Sequence, residues 1–351
     1  MSEAAMSPLL EVKNLKTHFK LDQGTVRAVD GASFTLHRGQ TLGIVGESGS
    51  GKSVMSRSIL RIVPPPGRIV EGELRYHRQT PTGTEVVDLA QLDGRGKTIR
   101  SIRGAEISMV FQEPMTSLSP VHTIGNQIGE ALMLHQGKTK DEAQVDATEA
   151  LRLVGMPRPD DIIKRYPHQL SGGMRQRAMI AMALACKPTL LIADEPTTAL
   201  DVTTQAQILA LMRRLQTELG MAILFITHDL GVIAQMTEHV IVMYLGKVVE
   251  TAPVDALFYT PKHPYTHALL HSIPRLGEKQ KGHRLSAIRG SIPDPYAVPG
   301  QGCPFAPRCA FSDGKRCVQE TPQLRAIAQG QEVSCHYADE LTLGGIDQPA
   351  A

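Results

Sequence analysis

An apolar run, Leu42, Gly43, Ile44 and Val45, leads straight into Gly46-Glu47-Ser48-Gly49-Ser50-Gly51-Lys52-Ser53. A helix-forming stretch, Val54 to Leu60, follows and ends before Pro64-Pro65-Pro66. A buried strand, a glycine-rich turn and a helix in that order make a phosphate cradle. Glycine has no Cβ to block the approach, so backbone N–H groups converge at a helix N-terminus and form an anion site. Lys52 then reaches the β- and γ-phosphates of a nucleotide, and the Ser53 hydroxyl holds Mg²⁺. A chain built round this unit is predicted to be α/β, with parallel strands carrying ligands at their C-terminal ends.

Three further strands are expected to aim polar groups at the same crevice. Thr189 to Ala193 is apolar and ends in Asp194-Glu195. Asp194 suits Mg²⁺, directly or through water, and Glu195, one residue further on, is placed to polarise an attacking water. Met221 to Thr227 is apolar and ends at His228, which can bond the γ-phosphate and keep Glu195 and the water in line. Ile107 to Phe111 ends at Gln112, whose neutral amide can touch Mg²⁺ and the water without adding a third negative charge.

Well over a hundred residues after the cradle comes Leu170-Ser171-Gly172-Gly173-Met174-Arg175-Gln176. Ser171 is a good helix N-cap, and the two glycines expose amides at the positive end of a helix dipole, a group complementary to a γ-phosphate. This segment resembles the signature of ATP-binding-cassette (ABC) ATPases, and the resemblance extends in order over the first 260 residues or so. It implies Phe19 stacking on adenine, a Walker A loop at 46–53 with Gly46, Ser48, Gly49, Ser50, Gly51, Lys52 and Ser53 round the phosphates, and a Q-loop at Gln112. It also implies a signature with Ser171, Gly172 and Gly173, Walker B at 190–195, a D-loop of Ala199-Leu200-Asp201 and a switch at His228. The implied cofactors are ATP and Mg²⁺, the metal held by Ser53, Gln112 and Asp194. Glu195, His228, Gln112 and Lys52 are implied to be catalytic. The signature would serve the nucleotide held by a second ABC ATPase, a related but different chain.

Gln112-Glu113-Pro114-Met115-Thr116-Ser117-Leu118-Ser119-Pro120 and Pro261-Lys262-His263-Pro264-Tyr265-Thr266 resemble the peptide/nickel importer subfamily. That resemblance implies an ATPase powering import of dipeptides or oligopeptides, with two membrane-spanning permeases and an extracytoplasmic solute-binding protein as partners. Nickel or another small solute is the alternative cargo. A non-transport ABC ATPase is the more distant alternative, since translation factors of that kind carry two cassettes and DNA-repair members carry large insertions.

The chain has 351 residues, room for one large domain and one small one. A formal charge of +2 and the absence of Trp give no basic field or stacking platform for nucleic acid. The N-terminal residues carry no apolar signal segment, and no run approaches the roughly 18 apolar residues that span a bilayer. The expected location is therefore the cytoplasmic side of the inner membrane, held peripherally by other chains. The expected domains are a nucleotide-binding domain at 1–260, with a helical subdomain at about 113–175, and a C-terminal extension at 261–351. Residues 9–45 and 69–105 are expected to add an antiparallel sheet. Residues 121–165 read as helical from Ile124, Ile128, Ala131, Leu132, Ala147, Leu151 and Val154.

Cys186 falls in an apolar stretch expected to be a core helix, whereas Cys303, Cys309, Cys317 and Cys335 cluster in the Pro/Gly-rich extension. Structural disulfides are disfavoured in the cytosol, so four thiols at this density point to metal. Their spacing, C-x5-C-x7-C-x17-C, lacks the short knuckle usual for zinc and suits a larger body such as a four-iron cluster. Zinc, with His336 as a substitute ligand, and free or reversibly oxidised thiols are the alternatives. The Gly302-to-Cys309 segment resembles the C-terminal motif of peptide-importer ATPases that carry a [4Fe–4S] cluster. The extension has little apolar material of its own, so ligation would contribute directly to its folding.

Overall fold

The computed structural model describes residues 7–113, 117–198, 200–273, 288–294, 296 and 301–346. Two sheets organise it. The first is antiparallel, in the order β2-β1-β4-β5, from β1 (Pro8–Leu21), β2 (Gly24–His37), β4 (Gly67–Thr80) and β5 (Gly83–Asp88). The second runs β11-β12-β10-β9-β3-β8-β7-β6, with β10 (Lys247–Pro253), β11 (Arg325–Ala328) and β12 (Gln331–Val333) at one end. Its centre is parallel: β3 (Thr41–Val45), β6 (Ile107–Val110), β7 (Leu190–Asp194), β8 (Ala222–Ile226) and β9 (His239–Tyr244). Every residue of β3, β6, β7 and β8 is buried, as expected of parallel strands covered on both faces.

Alternate side chains on these strands feed two separate cores. Leu190, Ile192, Leu224 and Ile226 join Leu10, Leu15, Met55 and Tyr76 beneath the antiparallel sheet. Leu191, Ala193, Ile223 and Phe225 face the helices Gly172–Leu184 and Val202–Leu219 on the other side. At roughly 25 cal/mol per Å² of apolar surface buried, this two-sided burial is the main force holding the parallel strands in place.

The register levels the strand ends. Ile44 lies opposite Ile226, Asp194 opposite Ile226, and Val110 opposite Ala193. Four parallel strands thus release their chains at one edge of the sheet; Asp194 ends β7, Glu195, Gln112 and His228 follow their strands within two residues, and Lys52 and Ser53 follow β3 across the glycine loop.

The helical stretch at 121–165 resolves into helices Ile124–Gln136, Lys140–Leu153 and Pro159–Ile162. Ile124, Ile128, Leu132, Ala147, Leu151 and Val154 are all buried in one core, as their periodicity requires. Thr123 caps the first helix, and Thr139 with Glu142 forms a reciprocal capping box on the second.

Two local readings are corrected. Residues 97–102, expected as strand or loop, form the short helix Lys97–Ile102. Cys186 is not in a helix. The helix ends at Leu184, ahead of Lys187 at φ 54° and Pro188, and the thiol is half-buried in the turn that follows.

The C-terminal segment shares the framework of the large sheet. Strand β12 (Gln331–Val333) pairs with β10 (Lys247–Pro253), and β11 (Arg325–Ala328) pairs with β12, so the large sheet continues into the tail. Phe305 is buried against Tyr244 and Tyr265, with ring centroids 5.3 Å from each. The apolar material that the extension lacks is supplied by the main core.

Candidate active site

At the levelled strand ends lies an open cavity of about 480 Å³ whose lining includes Ser48, Gly49, Ser50, Gly51, Lys52 and Ser53. The loop between β3 and the helix Lys52–Ile59 is forced by close packing. Gly46 sits at φ 153°, where a Cβ would meet the Met243 carbonyl oxygen at 2.2 Å. Gly51 sits at φ 99°, where a Cβ would meet the Ala28 carbonyl oxygen at 2.1 Å. Only glycine fits at either position.

Lys52 is 6% exposed, and its Nζ donates to the carbonyl oxygens of Gly46 (2.7 Å) and Glu47 (3.0 Å). Burial lowers its pKa, and the Glu195, Asp194 and Glu47 carboxylates oppose that shift. The Ser53 hydroxyl donates to Asp194 Oδ1 at 3.1 Å. Burial raises the Asp194 pKa, the Ser53 hydrogen bond opposes this, and the like charge of Glu195 adds to it. A carboxylate in that position gains from a nearby cation, and Ser53 beside it is the hydroxyl expected to share Mg²⁺.

Glu195 follows β7 and adopts φ 48°, the left-handed region that costs a non-glycine residue about 1–2 kcal/mol. Its N–H donates to the Ile226 carbonyl at 2.8 Å, which anchors the turn to β8. The carboxylate is clamped from three directions. Gln112 Nε2 donates to Oε2 at 2.9 Å, Thr198 Oγ1 donates to the same oxygen at 2.9 Å, and His228 Nδ1 lies 3.1 Å from Oε1. Gln112, Glu195 and His228, which are 116 positions apart in the chain, therefore meet at one carboxylate. Thr198 was not foreseen; a hydroxyl three residues after a strand-end acid was the available signal.

The signature group stands elsewhere. Ser171 caps the helix Gly172–Leu184, its Oγ accepting from Met174 N–H at 3.4 Å, and neither it nor Gly172 or Gly173 lines the cavity. Ser171 and Gly172 are exposed, and nothing lies within 4 Å of where a Gly172 Cβ would stand. Asp201 caps Val202–Leu219, and its hydrogen bonds from Thr204 lower its pKa. Positions 114–116 and Ala199 lie outside the described residues.

Phe19 is on β1 opposite Val26, its ring lies over Gly67, and it is not among the residues that line the cavity. The missing Cβ of Gly67 opens the slot that the ring fills, with Val63 beside it. Val26, Arg27 and Tyr296 also line the cavity.

The four tail cysteines converge. Cys303, Cys309, Cys317 and Cys335 line one small pocket of about 20 Å³, together with His263 and Phe305 among others. All are free thiols. Burial raises the Cys303 pKa to about 12 and the Cys309 pKa to about 11, and it raises those of Cys317 and Cys335 as well. Among the described residues, no three His, Cys, Asp or Glu side chains come together closely enough to hold a single metal ion.

Known proteins share long stretches of this sequence and its fold. A family profile described as ABC transporter matches residues 29–198. A second, described as oligopeptide/dipeptide transporter, C-terminal region, matches 249–317. The chain is 50% identical over 337 residues to the oligopeptide transport ATP-binding protein AppD of Bacillus subtilis, covering 95% of this chain and 98% of that one. The chain belongs to the ATP-binding subunits of the oligopeptide/dipeptide ABC transporters. This ABC ATPase is also 46% identical over 329 residues to the dipeptide transport ATP-binding protein DppD of Escherichia coli, covering 94% and 96% of the two chains. Among solved structures, the ATP-binding cassette MJ0796 in a dimeric post-hydrolysis state bound to ADP and Pi aligns with a TM-score of 0.60 at 28% identity. It covers 70% of this ABC ATPase and 99% of MJ0796. The C-terminal profile begins within β10 and ends at Cys317, so it takes in three of the four clustered cysteines. No helix among the described residues is long and apolar enough to cross a membrane.

Proposed function

We propose that the chain hydrolyses Mg·ATP to power import of dipeptides or oligopeptides across the cytoplasmic membrane. The clamped Glu195 beside Lys52, Ser53 and Asp194 carries the hydrolytic part of this reading. Lys52 would leave the Gly46 and Glu47 carbonyls for the β- and γ-phosphates. Ser53, Asp194 and Gln112 would hold Mg²⁺. Glu195 would accept a proton from the attacking water, which His228 and Gln112 keep in line. Ser171, Gly172 and Gly173 stand away from their own chain's cavity, so they would complete the site of a second ABC ATPase. The dimeric state of MJ0796 supports that arrangement. Closure would depend on γ-phosphate contacts that hydrolysis removes.

The names of AppD and DppD support peptide as the cargo. The partners would be a related ATPase chain, two permeases that hold this subunit at the cytoplasmic face of the membrane, and a solute-binding protein. The cassette would span 1–260, with its helical part at about 113–175, and the importer-type extension 261–351. In proteoliposomes containing the permeases and both ATPases, peptide-loaded binding protein is expected to raise ATP hydrolysis at least severalfold and drive peptide uptake. Stimulation by a nickel-loaded binding protein and not by peptide would assign the alternative cargo and overturn this one.

The tail thiols fit a [4Fe–4S] cluster better than a lone zinc ion. One zinc requires its donors at about 2.0–2.3 Å from a single point, whereas a cluster accepts four thiolates spread round a larger body. Cys303, Cys309, Cys317 and Cys335 would hold it. It would supply the positive charge that lets buried thiols ionise, tying down a tail that forms no core of its own. Protein purified without oxygen is expected to be brown, with about four irons per chain. A colourless preparation loaded with zinc would defeat the assignment.

A further inference from the structure

Besides its nucleotide contacts, the phosphate loop has a support that comes from the far end of the chain. Arg308 ends the short turn Ala306–Arg308, which is bounded by Phe305 and Cys309. Its side chain is 5% exposed. Nη1 donates to Glu47 Oε2 at 2.8 Å and Nη2 to Glu47 Oε1 at 3.2 Å, a two-pronged pair across 261 positions of sequence. Nε donates to the Arg289 carbonyl at 2.9 Å, and Nη1 also reaches the Tyr244 hydroxyl at 3.3 Å. Tyr265, from the Pro-His-Pro-Tyr segment, accepts the Glu47 backbone N–H through its hydroxyl at 2.9 Å. The residue directly after Gly46 is thus held by its side chain and its backbone, and both holds come from the extension.

We infer that Arg308 is a positioning residue for the phosphate loop: by clamping the Glu47 carboxylate, it fixes the loop and keeps a negative charge from facing the bound phosphates. Two physical points favour this. Glu47 is close enough to Lys52 to act on its charge, so a released carboxylate would compete with phosphate for that ammonium. A guanidinium meeting a carboxylate with two parallel bonds also fixes orientation, which a point charge does not. Arg308 touches no nucleotide position itself and acts through Glu47.

This inference rests on the ATPase reading above, and its test keeps the two apart. Mg·ATP binding would be measured by calorimetry in the full-length, anaerobically purified protein carrying Glu195→Gln, and steady-state hydrolysis in the otherwise unaltered chain. Arg308→Ala is expected to weaken Mg·ATP binding and raise KM by roughly tenfold while kcat changes by less than about twofold. Arg308→Lys should recover part of the loss. Adding Glu47→Gln to Arg308→Ala should bring affinity back towards the parent, because the stray charge is gone. Unchanged affinity in Arg308→Ala, with only a lower melting temperature, would reduce the pair to a structural tie and overturn the inference. So would a double variant no better than Arg308→Ala. If Arg308→Ala does not fold, Arg308→Lys and Glu47→Gln with Arg308→Lys test the same coupling. A parent protein that binds Mg·ATP but never hydrolyses it would instead sink the proposed function and leave the binding comparison valid.

Discussion

Glu195→Gln is expected to lower ATP turnover about a thousandfold, within the usual range for loss of a general base, while Mg·ATP binding persists. Gln112, Thr198 and His228 surround the carboxylate at 2.9–3.1 Å. The amide is nearly the same shape, so the turn at φ 48° and its bond to Ile226 are retained. What disappears is the proton acceptor. A variant that binds but does not hydrolyse should also accumulate paired cassettes in Mg·ATP, because the exposed signature would close on a partner's γ-phosphate and stay there. Single-turnover assays and size measurement with and without Mg·ATP check both outcomes. Hydrolysis at the parental rate would remove Glu195 from the mechanism, and the absence of pairing with any second cassette would remove the shared site.

Gly51→Ala should be almost as severe, for a steric reason. At φ 99° an L-residue is strained by about 1–2 kcal/mol. Its methyl group would also sit 2.1 Å from the Ala28 carbonyl oxygen, a backbone atom that cannot rotate aside. The loop must shift, and misplacement by about an ångström can cost a hundredfold. Mg·ATP affinity is expected to fall by about that factor. Gly39→Ala is the comparison. It has positive φ, at 68°, but nothing lies within 4 Å of the added methyl. It should cost about 1 kcal/mol of stability and leave nucleotide affinity unaltered. Equal losses of affinity in the two variants, measured by titration alongside thermal melts, would refute the steric account.

The parallel core was legible because its strands are buried on both faces and read as unbroken apolar runs. Three runs led directly into Gln112, Asp194-Glu195 and His228, and the fourth led into the glycine loop that ends at Lys52, so these residues could be named before their convergence was seen. The helical insert was legible for the complementary reason, a buried stripe at helical spacing through Ile124, Ile128 and Leu132. The packing of Phe19 was not legible, because an aromatic on an antiparallel strand gives no sign of which cleft it fills. The slot over Gly67 is created by a residue 48 positions away. Cys186 misled because Ala185 carries the apolar run past Leu184, where the helix ends ahead of Lys187 and Pro188. The Arg308–Glu47 pair could not be read at all. It is a contact between two loops with no periodicity, and nothing in either local sequence names its partner.

The pairing of β12 with β10 has a practical consequence for anyone trimming this chain. A cut after residue 260 would uncover the outer edge of β10, a flat row of unsatisfied amides and carbonyls ready to recruit other chains. It would also strip the Lys262, His263 and Gln331 donors from Glu250, a wholly enclosed carboxylate within that strand. A minimal cassette made by simple truncation would therefore be a sticky fragment, and a soluble one would need a replacement strand.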